Sequence, residues 1–158
     1  MRAKRKFLTL MFNDYYTEVE PENCFVAVDD NDKPIGYIYG VKDYDFYQEN
    51  FSEYINAVAE IENRRFLAEA LTEMYDHAIY KKDSPAHLHI DILPEYQRMG
   101  MGGKLIKTLC DHLAEKGISG VCLTCGPRNE KAVNFYKKYG FTLLSIDHDD
   151  ACFGRKIK

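Results

Sequence analysis

A glycine-bearing segment, Gln97-Arg98-Met99-Gly100-Met101-Gly102-Gly103-Lys104, limits the possible structures of this chain more than any other feature. It lies between an apolar run that ends at Leu93 and an amphipathic helix predicted to continue to about Lys116. A helix N-terminus carries unpaired N–H groups and partial positive charge, and glycine lets the backbone approach an anion. The segment therefore predicts a phosphate-binding loop, with a simple tight turn as the alternative.

Two common phosphate-binding motifs do not fit this segment. A P-loop is excluded because the order of glycines and lysine differs and neither Ser nor Thr follows Lys104. A dinucleotide fingerprint needs an acidic ribose partner at the end of a following strand, and the predicted strand at 121–125 carries no acid.

The rest of the chain predicts a mixed sheet with helices on its faces. A first helix is expected from about Ala3 to Thr17, and a polar, aromatic stretch at about 43–82 without glycine or proline predicts an insert of one or two helices. The other predicted helices are 130–139 and the one after the glycine segment. The predicted strands are 24–28, 35–41, 87–93, 121–125, 141–146 and 151–157.

Length and composition limit the class of protein. The 158 residues suit one domain, 1–158, and the net charge of −4 argues against a general nucleic-acid binder. No apolar run approaches 18 residues and no secretory signal is recognised, so neither a membrane partner nor export is expected. The odd count of five cysteines at scattered positions does not suggest a disulfide framework. We expect a cytoplasmic protein.

Polar side chains alternate along the predicted strand 87–93. His87, His89 and Asp91 share one face, and the apolar residues Leu88, Ile90 and Ile92 share the other. Histidine is suited to proton removal near neutral pH, and aspartate becomes so when burial raises its pKa. The same three residues are also spaced as the metal ligands of a metallohydrolase would be, which is the less favoured alternative. That pattern usually continues with a further histidine and position 92 is Ile, so no metal is expected.

Two blocks of this sequence resemble the GNAT superfamily of N-acetyltransferases. The first is an apolar strand and a proline followed by Gln-x-x-Gly-x-Gly, which here runs from Ile92 to Gly102. The second is Asn-x-x-Ala-x-x-x-Tyr-x-x-x-Gly-Phe, which here runs from Asn129 to Phe141. Both blocks have the family's order and spacing, and the clear resemblance covers about residues 86–144.

The resemblance implies an α/β (α+β) fold with a mixed, mostly antiparallel sheet, and an enzyme that moves an acetyl group from acetyl-CoA to a primary amine in a ternary complex. It implies that the backbone of Ile92 and Leu93 binds the pantetheine arm and that the Leu93 N–H polarises the thioester carbonyl. Tyr136 stands where the family often has a general acid. The remaining residues implied to hold coenzyme A are Gln97, Arg98, Met99, Gly100, Met101, Gly102, Gly103, Lys104, Asn129, Ala132 and Phe135, with Tyr136 also in contact.

The chain departs from the family pattern at two places. The sheet is expected to be shortened at its N-terminus, so that either it lacks an edge strand or the partner in a homodimer supplies one. The insert at about 43–82 is longer than usual and is expected to build part of the acceptor site. The general base remains open among His87, His89 and Asp91. Further carboxylates are Glu60, Glu62, Asp147, Asp149 and Asp150. The acceptor, a small molecule or a peptide amine, is also open, and a non-catalytic acyl-CoA sensor is the non-enzymatic alternative.

Overall fold

Six strands form one sheet in the computed structural model, which describes residues 2–61 and 63–158. They are β1 (Cys24–Val28), β2 (Pro34–Val41), β3 (Ala86–Ile92), β4 (Gly120–Cys125), β5 (Thr142–Ile146) and β6 (Ala151–Lys156), in the spatial order β1-β2-β3-β4-β6-β5. Of the five strand pairings described, only β3 with β4 is parallel. The prediction of a mixed, mostly antiparallel sheet is confirmed.

Helices cover both faces of the sheet. They are α1 (Arg2–Thr9), α2 (Tyr15–Val19), α3 (Tyr44–Ala59), α4 (Arg64–Tyr75), α5 (Met101–Glu115) and α6 (Glu130–Lys138). The insert at about 43–82 contains α3, α4 and a short 3₁₀ turn, Ala78–Tyr80. Asp43 begins α3 by accepting a hydrogen bond from the Phe46 N–H, and Asn63 begins α4 in the same way.

The first helical segment differs from the uninterrupted helix predicted at 3–17. A π-helical stretch, Leu10–Asp14, separates α1 from α2. Wider π turns are rare and occur often at functional sites. This one directs Phe12 to the ring of His89, at a centroid distance of 5.3 Å, and Asn13 to the hydroxyl of Tyr39.

Two apolar cores lie on opposite faces of the sheet. One consists of α5 and α6 packed on the strands, with Leu105, Ile106 and Leu109 buried there. The other joins α1, α2, α3 and α4 to the opposite face and buries a tyrosine-rich cluster that includes Tyr15 and Tyr47. The first helices and the insert therefore lie on one side of the sheet, and the helix after the glycine segment lies on the other.

The parallel pairing of β3 with β4 is short. Its register contains Ala86 with Val121 and His87 with Cys122, and no further pair along the described residues of either strand. The C-terminal halves of the two strands therefore diverge and leave a gap in the middle of the sheet. The glycine segment and α6 flank this gap.

Candidate active site

A cavity of about 660 Å³ occupies the gap between β3 and β4 and extends to the start of α5. We call it the gap cavity. The residues predicted to bind a cofactor that line it are Ile92, Gln97, Arg98, Gly100, Gly102, Gly103, Asn129, Ala132, Phe135 and Tyr136. Asp91, predicted as a candidate base, also lines it.

The glycine segment forms a concave backbone surface at the end of this cavity. Arg98 and Gly100 both have left-handed backbone angles, with φ of 64° and 82°, and Gly100 is the N-cap of α5. Alternation of left-handed and ordinary residues turns successive N–H groups to the same side, which is an arrangement that binds anions. A Cβ on Gly102 would lie 2.7 Å from Cζ of Phe135, so glycine lets α5 begin in contact with α6. The segment thus fits a diphosphate.

Four residues predicted to contact the cofactor do not line the gap cavity: Leu93, Met99, Met101 and Lys104. Met99 and Lys104 are exposed, and Met101 packs against the apolar core. Arg98 lines the cavity, and Lys131 and Lys138 are two further cations of its lining that the sequence analysis did not identify. Both lie on α6 at i and i+7 with Phe135 between them, and this helical spacing is the signal that could have identified them.

The expectation for the Leu93 N–H needs correction. This group donates to the Ile35 carbonyl, 2.9 Å away, and so faces β2. In an antiparallel pair, successive residues direct their N–H and C=O groups to opposite sides. The backbone groups that face the gap therefore belong to Ile90 and Ile92, which lie three positions and one position before the predicted donor.

Ile92 uses its gap-facing groups within the protein. Its N–H donates to Oδ1 of Asp91 at 2.8 Å, and its carbonyl accepts from Nε2 of Gln97 at 2.9 Å. The Ile90 N–H lies beyond the last pair of the β3–β4 register. It is therefore the gap-facing donor best placed for a ligand in the cavity.

Tyr136 is nearly buried and lines the cavity from α6. Burial, followed by the nearby Cys125 and Asp91, raises the pKa of its phenol above the ordinary value of 10.0. The hydroxyl therefore keeps its proton at neutral pH. Asn129, at the start of the same helix, accepts from the Ala132 N–H at 3.2 Å and so serves as its N-cap.

His87 and His89 lie beneath the helices of the opposite face and do not line the gap cavity. Nε2 of His87 is 3.2 Å from the Tyr16 hydroxyl, and its ring stacks on His77 at 4.6 Å. Burial is the main cause that lowers the pKa of both predicted histidines, of His87 well below its ordinary 6.5 and of His89 to about 3. Both rings are therefore neutral at physiological pH.

The insert brings further titratable groups to this cluster that the sequence analysis did not identify. Oε1 of Glu73, on α4, lies 3.6 Å from Nε2 of His89. Burial is the main cause that raises the Glu73 pKa to about 7 and lowers that of His77 to about 4. Of Glu73, His77 and His89, the carboxyl of Glu73 therefore has the pKa nearest to neutral pH.

A second cavity, of about 830 Å³, opens on the side of α1. We call it the helix groove. Its walls are α1 and the π-helical stretch on one side and β2 and β3 on the other. Asp91 lines this groove as well as the gap cavity, so this residue lies where the two spaces approach each other.

The other candidate carboxylates that the structure describes line neither cavity. Glu60 is exposed at the end of α3, and Glu62 is outside the described residues. Asp147 accepts backbone hydrogen bonds from Asp149 and Asp150, so this acidic segment is a turn.

Residues 2–61 and 63–158 hold no group of three or more His, Cys, Asp or Glu side chains arranged to bind a metal ion. No helix within these residues is long and apolar enough to span a bilayer.

Comparison with known families gives a match over most of the chain. The model of the Acetyltransferase (GNAT) family matches residues 2–141. The chain belongs to the GNAT acetyltransferase family. This confirms the resemblance stated from the two sequence blocks, and the family implies acetyl-CoA as the co-substrate.

Individual relatives are more distant. The [ribosomal protein bS18]-alanine N-acetyltransferase of Escherichia coli strain K12 is 31% identical over 64 residues, which are 40% of this chain and 43% of that protein. The chain thus matches less than half the length of this curated relative.

Solved structures share the GNAT fold over nearly the whole chain. The crystal structure of SsHAT has a TM-score of 0.86 at 26% identity, covering 96% of this chain and 81% of that one. Naa20 of Chaetomium thermophilum, solved with a bisubstrate analogue, has a TM-score of 0.58 at 20% identity, covering 99% and 82%.

Proposed function

We propose that this protein transfers the acetyl group of acetyl-CoA to a primary amine by direct attack within a ternary complex. The observation that carries the proposal is the position of the gap cavity. It extends from the concave backbone surface at Gly100 to Tyr136 and Asp91 in the opening between β3 and β4. One continuous space thus joins an anion-binding end to an end with a proton donor and a carboxylate.

The residues present fit coenzyme A. The amides from Arg98 to Gly103 would hold the diphosphate, helped by the positive charges of Lys131 and Lys138. The apolar wall formed by Ile92, Ala132 and Phe135 suits the pantetheine arm. When bound, acetyl-CoA supplies an activated acyl group and a thiol leaving group.

Three groups of the protein would then act on the reaction. The Ile90 N–H, in place of the Leu93 N–H, would donate to the oxygen on which negative charge develops. Tyr136 would give its proton to the departing sulfur. Asp91 would hold the incoming ammonium group and accept a proton from it, directly or through a water molecule. His87, which is buried and contacts Tyr16 and His77, would stabilise the fold.

Ligand binding and turnover test this proposal separately. Acetyl-CoA at millimolar concentration should raise the melting temperature, because a ligand that binds only the folded state stabilises it. Release of free thiol should then occur with a panel of primary amines that includes peptides and polyamines. Asp91→Asn should slow thiol release and leave acetyl-CoA binding unchanged, with exposed Asp111→Asn on α5 as the matched control.

Each unfavourable result has a clear meaning. Absence of any stabilisation by acetyl-CoA or CoA would refute the proposal. Binding without turnover on the whole panel would favour the alternative of an acyl-CoA sensor.

A further inference from the structure

The helix groove carries opposite charges within one cavity. Lys4 and Arg5 line it from α1, and Asp91 lines it from β3. Its aromatic residues include Tyr37 and Tyr39, whose rings stack with centroids 4.4 Å apart. Such a surface can bind a molecule that is cationic at one point, apolar beside it and anionic further on.

The order of these groups follows from how the first helical segment runs along β3. Phe12, in the π-helical stretch, lies against His89, and Tyr16, on α2, lies against both His87 and His89. Moving back along the helical segment therefore moves forward along β3, and Leu8 lines the groove together with Asp91. Lys4 and Arg5 precede Leu8 on α1 by about one helical turn, ~5 Å along the axis.

Lys4 and Arg5 do not stabilise α1, the helix on which they lie. The first turn of α1 has no acidic residue, and positive side chains at a helix N-terminus are unfavourable to its dipole. Within the described residues, Lys4 and Arg5 form no ion pair with a carboxylate. Their charge is therefore available to a ligand.

The dimensions of the groove favour an extended chain over a single small amine. The lining from Lys4 to Asn13 spans nine helical steps, which is at most about 14 Å because the π-helical part rises less per residue than an α-helix. That length accommodates about four residues of extended peptide at ~3.3 Å each. A rare π turn shapes the wall at Phe12 and Asn13, which is consistent with a binding role.

We propose that the helix groove binds a peptide acceptor through its N-terminal amine and an acidic side chain at its second or third position. This proposal rests on the acetyltransferase function proposed above. Asp91 holds the amine at the gap, the stacked rings of Tyr37 and Tyr39 contact the first side chain, and Lys4 and Arg5 pair with the carboxylate. The preference is electrostatic and decreases as salt concentration rises.

Matched peptides test the charge preference. Three otherwise identical peptides with Asp, Asn or Lys at position two are compared by thiol release. We expect kcat/KM for the Asp peptide to exceed that for the Asn peptide roughly threefold to tenfold at low salt, the size expected for two partly exposed ion pairs. Most of the change should be in KM. The Lys peptide should be the poorest substrate.

Two variants test whether the helix groove causes the preference for the Asp peptide. The double variant Lys4→Gln/Arg5→Gln should accept the Asp and Asn peptides equally. Lys6→Gln, on the same helix but outside the groove lining, should keep the preference. The thermal stability of each variant, measured alongside, shows that the fold is intact.

The possible results separate this inference from the proposed function. Equal kcat/KM for the Asp and Asn peptides, or the same loss of preference in Lys6→Gln, would overturn the acidic-peptide proposal while acetyl transfer stands. Turnover of free aspartate with no turnover of peptides would also overturn it. Absence of acetyl-CoA binding would refute the proposed function, and the acceptor proposal would fall with it.

Discussion

Replacing Glu73 by Gln should change how the stability of the fold depends on pH. Glu73 projects from α4 into the cluster beneath the sheet, 3.6 Å from His89. Burial is the first cause of its raised pKa, and the negative charges of Asp76 and Asp150 add to it, so the value rises from 4.5 to about 7. The folded protein thus holds a proton on Glu73 over a pH range in which the unfolded chain releases it.

The direction and size of the effect follow from this difference in proton binding. Between the unfolded and folded pKa values the native state binds more protons, so the free energy of unfolding falls as pH rises. The stabilisation is fully present below pH 4.5 and is lost as pH passes about 7. At 1.36 kcal/mol per pKa unit the whole effect is about 3 kcal/mol, of which about 2 kcal/mol falls between pH 5 and pH 8.

Urea unfolding of the wild type and Glu73→Gln at pH 5, 6, 7 and 8 measures how the free energy of unfolding depends on pH in each protein. The variant should gain about 2 kcal/mol relative to the wild type over this range, or about 4–8 °C in melting temperature. Contributions from the buried histidines are common to both proteins and cancel in the comparison. Glu69→Gln is the matched control, because Glu69 lies on the same helix in a surface ion pair with Arg65. A difference between wild type and Glu73→Gln that is constant with pH would refute the reasoning.

Three further changes test the cavity and the buried cluster. Gly102→Ala should weaken CoA binding about tenfold by calorimetry, because the added Cβ would lie 2.7 Å from the Phe135 ring. The control is Gly126→Ala, whose added Cβ meets nothing within 4 Å and which should bind CoA as the wild type does. Equal Kd values for the two variants would count against the predicted contact. Tyr136→Phe should lower kcat roughly 10–100-fold with unchanged acetyl-CoA affinity, and an equally fast variant would exclude the acid role. Because burial lowers the His77 pKa from 6.5 to about 4, the wild type should lose about 2 kcal/mol of stability through this residue from pH 8 to pH 5. His77→Gln should lack that loss in urea unfolding, and an unchanged pH profile would contradict the assignment.

The anion-binding end of the site was predictable because its signal is local. A glycine segment between an apolar strand and an amphipathic helix specifies a helix N-terminus, and Gly100 is found at that N-cap with a left-handed backbone. The alternation along β3 was equally local. It predicted that His87 and His89 lie on one face of the strand and Leu88 on the opposite face. The structure places the two histidines on the face that the first helices cover.

The spacing of residues in the sequence does not predict the buried cluster under the insert. Glu73 and His77 lie on the segment after β2, and their proximity to β3 depends on how α3 and α4 dock on the sheet. No periodicity within 43–82 specifies that docking. The pKa shifts have the same origin, because they result from burial that tertiary packing creates.

The three-residue difference between Leu93 and Ile90 as the donor arises from strand register. The family blocks located the strand end correctly, but the direction of each N–H depends on which residue of β2 pairs with which residue of β3. Once Leu93 donates to Ile35, alternation assigns the gap-facing side to Ile90 and Ile92.

The same register explains why Asp91 reaches both cavities. Alternation alone would keep its carboxylate on the face of α1, as the helix groove requires. Its Oδ1, however, accepts from the Ile92 N–H, which faces the gap, so the side chain bends over the edge of β3. This is possible because the β3–β4 register stops at His87 and Cys122; a longer ladder would pair Ile92 with β4 and cover that edge. Divergence of the two strands therefore opens the gap cavity and also brings to it a residue that lines the helix groove, Asp91.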